Sequence, residues 1–358
     1  MVVQPIDSAG ENKPVKLRRP GLGLLVGLML LLSVETWLHS DDFPYRFRSV
    51  FAAGRAMDKV LFVEANCPSL LIVGNSRADN AFDVGVVRRV AELPQLQRAF
   101  NLGLPGADAR VLSGILDRLD SRRCLGGAGV QYVVLALDES LLQRVDSLGQ
   151  DVFFASRRNL WADGQYHDLL KATLRLYGYS QNLRQLREPA TLKRFIDACR
   201  GDVEPVGGSA ATHLGYRAGF GGLQNRDSAL LQDAGSMAPP DAANVKHLWR
   251  MLDLLKARSV QVAVAFPPLL NREVLYLDAE RPQSAPYTVI AAELKQRAIP
   301  LLALGAGQTR NADEFVNAGH LNDLGAQRFS LLLGQALHQI WTREALSVNF
   351  AKPRPGTS

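Results

Sequence analysis

Short apolar runs that alternate with helical patterns are the feature that most limits how this chain can fold. Each run is almost continuously apolar, which is typical of strands in a parallel sheet that is covered on both faces. The predicted strands cover residues 70–73, 99–102, 130–137, 260–266 and 300–304. Helical spacing of the apolar residues predicts helices over 50–63, 84–91, 109–119 and 329–341. We therefore expect an α/β fold in three layers, α/β/α, built on a five-stranded parallel sheet.

The alternation is interrupted once, between about residues 139 and 247 of the 358. Helical pieces at 169–177 and 191–199 are followed there by a glycine-rich passage, 213–222. A structureless loop of that length is improbable inside a domain. We predict an insertion into one domain of residues 65–345, packed over the carboxyl edge of the sheet, where open α/β sheets bind their ligands.

The amino-terminal region has the pattern of a membrane anchor. An uninterrupted apolar run at 21–34 follows four basic residues, and Trp37 extends it as an interfacial residue. We predict a transmembrane signal anchor at 21–39, a cytoplasmic tail at 1–20, a connector at 40–64 and a tail at 346–358. The main domain would then be periplasmic, held at the inner membrane by one span. A cleaved signal peptide and a buried core helix are the alternatives.

The charge of the chain excludes one class of partner. Of the formal net charge of +6, the first 39 residues contribute little, because they carry four basic and three acidic side chains. The remaining surplus forms no basic run and no stripe interleaved with aromatic residues. The sequence therefore predicts no binding of nucleic acid.

The three cysteines allow one disulfide and leave one thiol over. Cys67 and Cys124 each precede a predicted strand, so they lie at the same end of the sheet if those two strands are neighbours. Oxidation would require an exported location. A Cys67–Cys124 disulfide and two separate buried thiols are both open on this evidence.

Three positions far apart in the sequence point to nucleophilic catalysis. Ser76 follows Gly74 and Asn75 directly after the first strand, Gly103 ends the second strand, and His320 lies on a late loop. Such a turn exposes a serine hydroxyl above the sheet edge, where a histidine can serve as its general base. Taken singly, the same residues could be a helix N-cap, a turn glycine and a core or helix-entry histidine. No histidine has the spacing of a metal site, so we expect neither a metal nor a cofactor.

In combination, these motifs resemble the SGNH (GDSL-type) hydrolase superfamily. Its first block matches Gly74-Asn75-Ser76, its second-block glycine matches Gly103, and its last block falls on Asn317 to His320. The sequences of residues 74–82 and 320–326 are most similar to those of a membrane-anchored extracytoplasmic branch of this superfamily. That branch includes alginate O-acetylation accessory proteins and D-alanyl transfer proteins. The resemblance covers roughly residues 65–137 and 245–341.

The resemblance implies a role for each matched residue. Ser76 would be the nucleophile and His320 the general base, with the backbone N–H groups of Ser76 and Gly103 as the oxyanion hole. Asn317 stands where the family has an acid. Asn317 itself, a backbone carbonyl or Asp313 would therefore orient His320, or the serine and histidine would act as a dyad, or the site would be weak or inactive. Asp138 stands where many members have an oxyanion-hole asparagine. We expect the substrate to be bound by Arg77, Tyr216 and Arg217, with Phe220 beside them.

The expected activity is extracytoplasmic O-acylation, most simply acetylation, of an exopolysaccharide or another envelope glycan. Because no acyl-CoA exists outside the cytoplasm, the resemblance implies an integral-membrane acyl donor as partner. A non-catalytic glycan-binding or scaffold subunit is the alternative, and an esterase that acts alone is a third.

Overall fold

A computed structural model describes residues 21–48, 50–145, 147, 149–203, 212–219, 238–278, 280–305 and 311–350, with the side chains of 52 and 343–350 excepted. The predicted insertion residue Phe220 lies outside these ranges, as do the tail at 1–20 and residues 351–358 of the carboxyl-terminal tail.

The centre of the fold is a five-stranded parallel sheet, as the apolar runs predicted. Its strands, in chain order, are β1 (Leu70–Gly74), β2 (Ala99–Gly103), β3 (Tyr132–Ala136), β4 (Gln261–Ala265) and β5 (Leu301–Leu302). In space they follow the order β2-β1-β3-β4-β5. Because β1 pairs with both β2 and β3, it is an inner strand, and the turn that follows it lies between the ends of two neighbouring strands.

Helices cover the sheet on both faces. They are α1 (Leu22–Leu38), α2 (Asp42–Arg46), α3 (Ala52–Asn66), α4 (Ser76–Ala81), α5 (Val84–Ala91), α6 (Ala109–Ser121), α7 (Gln150–Phe154), α8 (Arg157–Ala162), α9 (Tyr166–Thr173), α10 (Arg175–Leu183), α11 (Pro189–Cys199), α12 (Ala242–Ala257), α13 (Ala285–Gln296) and α14 (Asp323–Phe350). A short antiparallel pair, β6 (Phe315–Asn317) and β7 (His320–Leu321), precedes the last helix.

Two hydrophobic cores lie on opposite faces of the sheet, because successive strand residues point to opposite sides. Leu71 and Val73 of β1 belong to the core that α2, α3, α6, α12 and α13 cover. Leu70 and Ile72 belong to the other core, with residues of α4, α5 and α14. All four side chains are buried, which explains why the strand is a continuous apolar run rather than an alternating one.

The segment 40–64, predicted as a connector, is instead part of the folded domain. Phe43 and Phe47 of the α2 region are buried in the first core, and Met57 and Val60 of α3 are buried with them. Burying these large apolar side chains is more favourable than leaving them in water, as a solvated linker would. The predicted helix at 50–63 corresponds to α3.

The amino-terminal helix α1 presents exposed apolar side chains along its length, including Leu22, Leu24, Met29 and Leu30. In the part of the chain that the structure describes, no helix has both the length and the hydropathy to cross a membrane.

A disulfide between Cys67 and Cys124 resolves the alternative left open by the sequence. It joins the end of α3 to the segment before β3, and the two Cα atoms are 5.2 Å apart. The third cysteine, Cys199 at the end of α11, is free and exposed. The bridge forms because β1 and β3 are adjacent and the cysteines precede them at the same end of the sheet.

Candidate active site

The turn after β1 places Ser76 at the first position of α4. Asn75 is the N-cap of this helix, since its side chain accepts a hydrogen bond from the N–H of Arg77 at 2.9 Å. Gly74 is required at the turn because a Cβ there would lie 2.6 Å from the Cβ of Ala78. The capping role therefore belongs to Asn75, and the hydroxyl of Ser76 is left for another partner.

That partner is His320. Its Nε2 atom lies 3.0 Å from the Oγ atom of Ser76, although 244 residues separate them in the sequence. This is the distance at which a general base accepts the proton of a nucleophilic hydroxyl. The structure thus places in contact two residues whose partnership the sequence could only suggest.

The β6–β7 hairpin orients the imidazole through Asn317. The Oδ1 atom of Asn317 lies 2.9 Å from Nδ1 of His320 and also accepts the backbone N–H of Gly319 at 3.0 Å. Of the two terminal atoms of the Asn317 amide, only the oxygen can accept from a backbone N–H, so the bond from Gly319 fixes which way the amide points. Nδ1 must then carry the proton it donates to Asn317, which leaves Nε2 with a free lone pair toward Ser76. Asn317, rather than Asp313, therefore bonds to the histidine.

The surroundings keep His320 uncharged. Burial lowers the pKa of His320 to about 4, and the neighbouring positive charge of Arg77 acts in the same direction. Asp138 and Asp79 oppose this shift, and Arg217 adds to it. A histidine with that pKa is neutral near pH 7 and is therefore in the form that can take a proton.

Arg77, predicted to bind substrate, forms ion pairs with buried carboxylates. Its Nη1 atom donates to Oε2 of Glu139 at 3.2 Å, and its Nε atom lies 3.7 Å from Oδ2 of Asp138. Glu139 also accepts from Nη1 of Arg272 at 2.9 Å. The guanidinium lies against Gly319, next to the histidine hairpin. Its position suits a role in holding the hairpin beside α4, and its contact with substrate stays a prediction.

A hydrogen-bond chain that the sequence did not reveal connects the nucleophile turn to the end of β3. Nδ2 of Asn75 donates to Oγ of Ser140 at 2.8 Å, and Ser140 donates to Oδ1 of Asp138 at 2.6 Å. The N–H of Leu141 bonds to the same carboxylate oxygen at 2.9 Å. Asp138 thus serves here as an acceptor that fixes the turn. Two consecutive acids after the apolar strand β3, Asp138 and Glu139, were the sequence signal that could have revealed this cluster.

Gly103 lies at the predicted place, but its amide is already bonded. Its N–H donates to Oδ1 of Asn101 at 2.7 Å, and its carbonyl accepts from Nζ of Lys59 at 2.7 Å. A Cβ at Gly103 would lie 2.2 Å from the backbone nitrogen of Asp79, so this glycine lets α4 approach β2. Its role as an oxyanion donor stays a prediction, and it requires the bond to Asn101 to open.

The insertion returns to the site through residues 212–219. The hydroxyl of Tyr216 donates to Oδ1 of Asp323 at 2.5 Å, and the N–H of Arg217 donates to the carbonyl of Asp79 at 3.1 Å. The carbonyl of Leu214 accepts the N–H of Asn101 in β2. Tyr216 is nearly fully buried, whereas the Arg217 side chain is exposed. Of these two predicted substrate contacts, only Arg217 presents its side chain to solvent.

Metal chemistry has no evident ligand set. Among the described residues, no three His, Cys, Asp or Glu side chains are grouped so that they could hold a metal ion. The reacting groups available at this edge are the hydroxyl of Ser76 and the imidazole of His320.

The chain matches no protein-family model and no curated protein.

Proposed function

We propose that this protein is a serine acyltransferase or esterase of the SGNH type that acts on the O-acyl, most simply O-acetyl, groups of an exopolysaccharide or another envelope glycan. The observation that carries the proposal is the continuous Ser76–His320–Asn317 array, with contacts of 3.0 and 2.9 Å. The parallel sheet with helices on both faces, and the serine at the start of the helix after β1, support the SGNH type. The substrate class comes from the resemblance described above.

The geometry supports a two-step acyl transfer. Nε2 of His320 takes the Oγ proton as Ser76 attacks the carbonyl carbon of an acyl ester, and it returns that proton to the departing alkoxide. The acyl group is then bonded to Ser76. In the second step His320 takes the proton of an acceptor hydroxyl, whose oxygen attacks the acyl carbon, and Oγ recovers the proton as it leaves. With a glycan hydroxyl the result is transfer, and with water it is hydrolysis.

The tautomer in the structure suits both steps. Asn317 accepts the Nδ1 proton throughout, so the imidazole keeps its orientation when Nε2 is protonated. An amide carries no charge to stabilise the imidazolium, but the buried carboxylate of Asp138 favours the charged form of His320. The N–H of Ser76 has no carbonyl four residues earlier within α4 and faces the helix start, where a developing oxyanion is favoured.

The proposal places the domain outside the cytoplasm, with α1 as its anchor to the inner membrane and an integral-membrane protein as acyl donor. The Cys67–Cys124 disulfide supports an oxidising compartment. The exposed apolar side chains of α1 support an apolar surrounding for that helix. Fractionation tests this part. The full chain should sediment with inner membranes and resist alkaline extraction, whereas a chain that lacks residues 1–39 should not.

A non-catalytic scaffold is the second candidate. Two observations favour it: an amide occupies the position of the acid, and the Gly103 N–H is bonded to Asn101. A scaffold of this kind would bind glycan without any reactive serine.

The reactivity of Ser76 distinguishes the two candidates. We would incubate the purified full chain with a fluorophosphonate probe and with a chromogenic acetyl ester. The matched control is Ser156→Ala, because Ser156 also lies at a helix start but caps the N–H of Asn159 and bonds to no histidine. We expect labelling and ester turnover in the wild type and in Ser156→Ala, and neither in Ser76→Ala. If the folded wild type shows neither labelling nor ester turnover, the scaffold function replaces the enzyme function.

A further inference from the structure

A cavity lined by positive side chains lies beside the proposed active site. It has a volume of about 290 Å³ and opens between α3, the residues that follow β2, and the 212–219 segment. Its cationic lining residues come from three parts of the chain: Arg48, Arg55, Lys59 and Arg217. No carboxylate is among the described residues that line it.

Two carboxylates outside the cavity lining pair with three of these cations. Asp79 accepts from Nζ of Lys59 at 2.7 Å and from Nη2 of Arg55 at 3.2 Å. Asp58 lies 3.2 Å from Nε of Arg48. These two carboxylates lie outside the cavity lining, and the charged side chains among the described residues that line it are all positive.

The crowding of like charges appears in the titration of these groups. Burial lowers the pKa of Arg217, and the charge of Arg55 lowers it further. Burial also lowers the pKa of Lys59, with Arg55 and Arg217 acting in the same direction against Asp79. A bound anion would relieve this repulsion, because an opposite charge nearby favours the protonated form of each cation.

Two lining side chains also have polar atoms without partners. Nη2 of Arg48 and Oε1 of Gln150 are buried and form no hydrogen bond among the described residues. Nε2 of Gln150 donates to the carbonyl of Pro105 at 2.7 Å, which identifies Oε1 as the atom left without a donor. An unsatisfied buried polar atom costs about 1–3 kcal/mol, so such atoms are expected to find a ligand or water. Among the described residues, Oε1 of Gln150 therefore lacks a hydrogen-bond donor, and Nη2 of Arg48 lacks an acceptor.

We propose that this cavity binds an anionic sugar unit, in which a carboxylate or phosphate meets the arginines and a hydroxyl group donates to Gln150. Arginine binds both anions through paired N–H donors. The cavity has about ten times the volume that liquid water allots to one molecule, about 30 Å³, and so can admit a single sugar unit. In naming the glycan as ligand, this inference rests on the proposed function.

The position of the cavity connects it to the chemistry. Asp79, which holds Lys59 and Arg55, lies in the same short helix as Ser76. Lys59 also donates to the carbonyl of Gly103 at the end of β2. An anionic unit bound by these cations would hold the adjoining part of the same glycan next to the nucleophile. The cavity would thereby select a charged glycan over a neutral one.

Calorimetric titration of the full chain tests the inference without turnover if the protein carries Ser76→Ala. The probes are a galacturonate tetrasaccharide, a neutral glucose tetrasaccharide, and glycerol phosphate. We expect the affinity for the uronate or the phosphate probe to be at least about tenfold higher than the affinity for the neutral probe. Whichever anionic probe binds more tightly identifies the anion that the cavity prefers. The affinity should fall as sodium chloride is raised, because salt screens charge.

Substitutions assign the binding to the cavity. Arg217→Gln combined with Arg55→Gln should weaken the preferred anionic probe at least about tenfold. The matched control is Arg258→Gln, which removes an arginine of similar exposure beside Asp120, at the amino edge of the sheet before β4. Equal affinity for neutral and anionic probes would overturn the inference, as would equal losses in the double variant and the control.

Fluorophosphonate labelling of the wild type, measured separately, keeps the two proposals apart. Labelling without selective anion binding would leave the acyltransferase and remove the anion site. Selective binding without labelling would retain the anion site and favour the scaffold. Thermal unfolding of each variant, followed by circular dichroism, shows whether a lost affinity comes from a lost fold.

Discussion

Two histidines in this protein share an electrostatic state but differ in their burial and their bonding. His320 lies on the β6–β7 hairpin at the carboxyl edge of the sheet, and His247 lies on α12 in the first core. Burial is the main cause that lowers the pKa of each to about 4. Both nitrogens of His320 have partners, Ser76 and Asn317, whereas neither nitrogen of His247 has a hydrogen bond among the described residues.

The comparison shows that a depressed pKa does not by itself identify a catalytic base. A perturbed pKa is a sign of function only where geometry gives the group a substrate or a nucleophile to act on. The Oδ2 atom of Asp163 lies 3.7 Å from Nε2 of His247 and is already bonded to Arg250. His247 is thus a core residue that stays neutral, and His320 is a neutral base aimed at a hydroxyl.

The largest difference is expected in reactivity with the fluorophosphonate probe. His320→Leu should slow the labelling of Ser76 by at least about 10³-fold, because the serine then has no base. His247→Leu should leave the rate within about twofold. The measurement is the second-order labelling rate of each folded variant. Equal losses in both variants would mean that the rate reports stability rather than base catalysis.

The Asn317 amide provides the next largest effect. Asn317→Leu removes the acceptor of the Nδ1 proton, so we expect a loss of about 10²-fold in the labelling rate from tautomers and orientations that do not suit catalysis. Asn317→Asp keeps an oxygen for both Nδ1 and the N–H of Gly319 and adds a charge that stabilises the imidazolium. We expect it to raise the rate by about tenfold. A lower rate in Asn317→Asp would show that this site is adapted to a neutral partner.

The sequence predicted more of the sheet than of the site. The first four strands are readable because most of their side chains are buried on both faces, which gives nearly continuous apolar runs. The helices at 242–257 and 285–296 were not predicted, and the first of them was divided by the assumed end of the insertion. Asp241, which caps α12 through the N–H groups of Ala243 and Asn244, was the signal that could have located it.

The site was predictable as a set of residues but not as a network. Ser76, His320 and Asn317 stand in recognisable motifs, whereas the partners of Arg77 and Lys59 come from distant segments that only folding brings near. Glu139 and Asp79, respectively, hold those two cations. Neither acid belongs to a motif that names its partner, because an ion pair between distant residues leaves no local spacing in the sequence.

The pH dependence of labelling gives a sharper test of His320. The neutral imidazole is the reactive form, and its pKa is about 4, so the rate should stay level from about pH 8 to pH 5 and fall to half near pH 4. Asn317→Asp should move this midpoint upward, since a carboxylate favours the charged histidine. A wild-type midpoint near 6.5 would mean that His320 is far better solvated than its burial implies.

The smallest effect concerns stability and belongs to His247. Its pKa is about 4 in the folded chain and about 6.5 when unfolded, so between these values the unfolded state binds more protons. Stability is therefore lost as the pH falls from about 6.5 toward 4, and this single group should contribute about 2 kcal/mol of loss between pH 7 and pH 5. The other charges that act on its titration are those of Arg250, Asp163, Arg110 and Asp241.

His247→Leu should remove that contribution. In urea unfolding, the variant should lose about 2 kcal/mol less than the wild type between pH 7 and pH 5. At pH 7 it should be as stable as the wild type or more so, because it buries no unpaired imidazole nitrogen. An unchanged pH dependence would mean that the pKa of His247 is the same in the folded and unfolded chain, so that the histidine is charged in the fold at pH 5. The two histidines would then differ in charge at pH 5 as well as in hydrogen bonding.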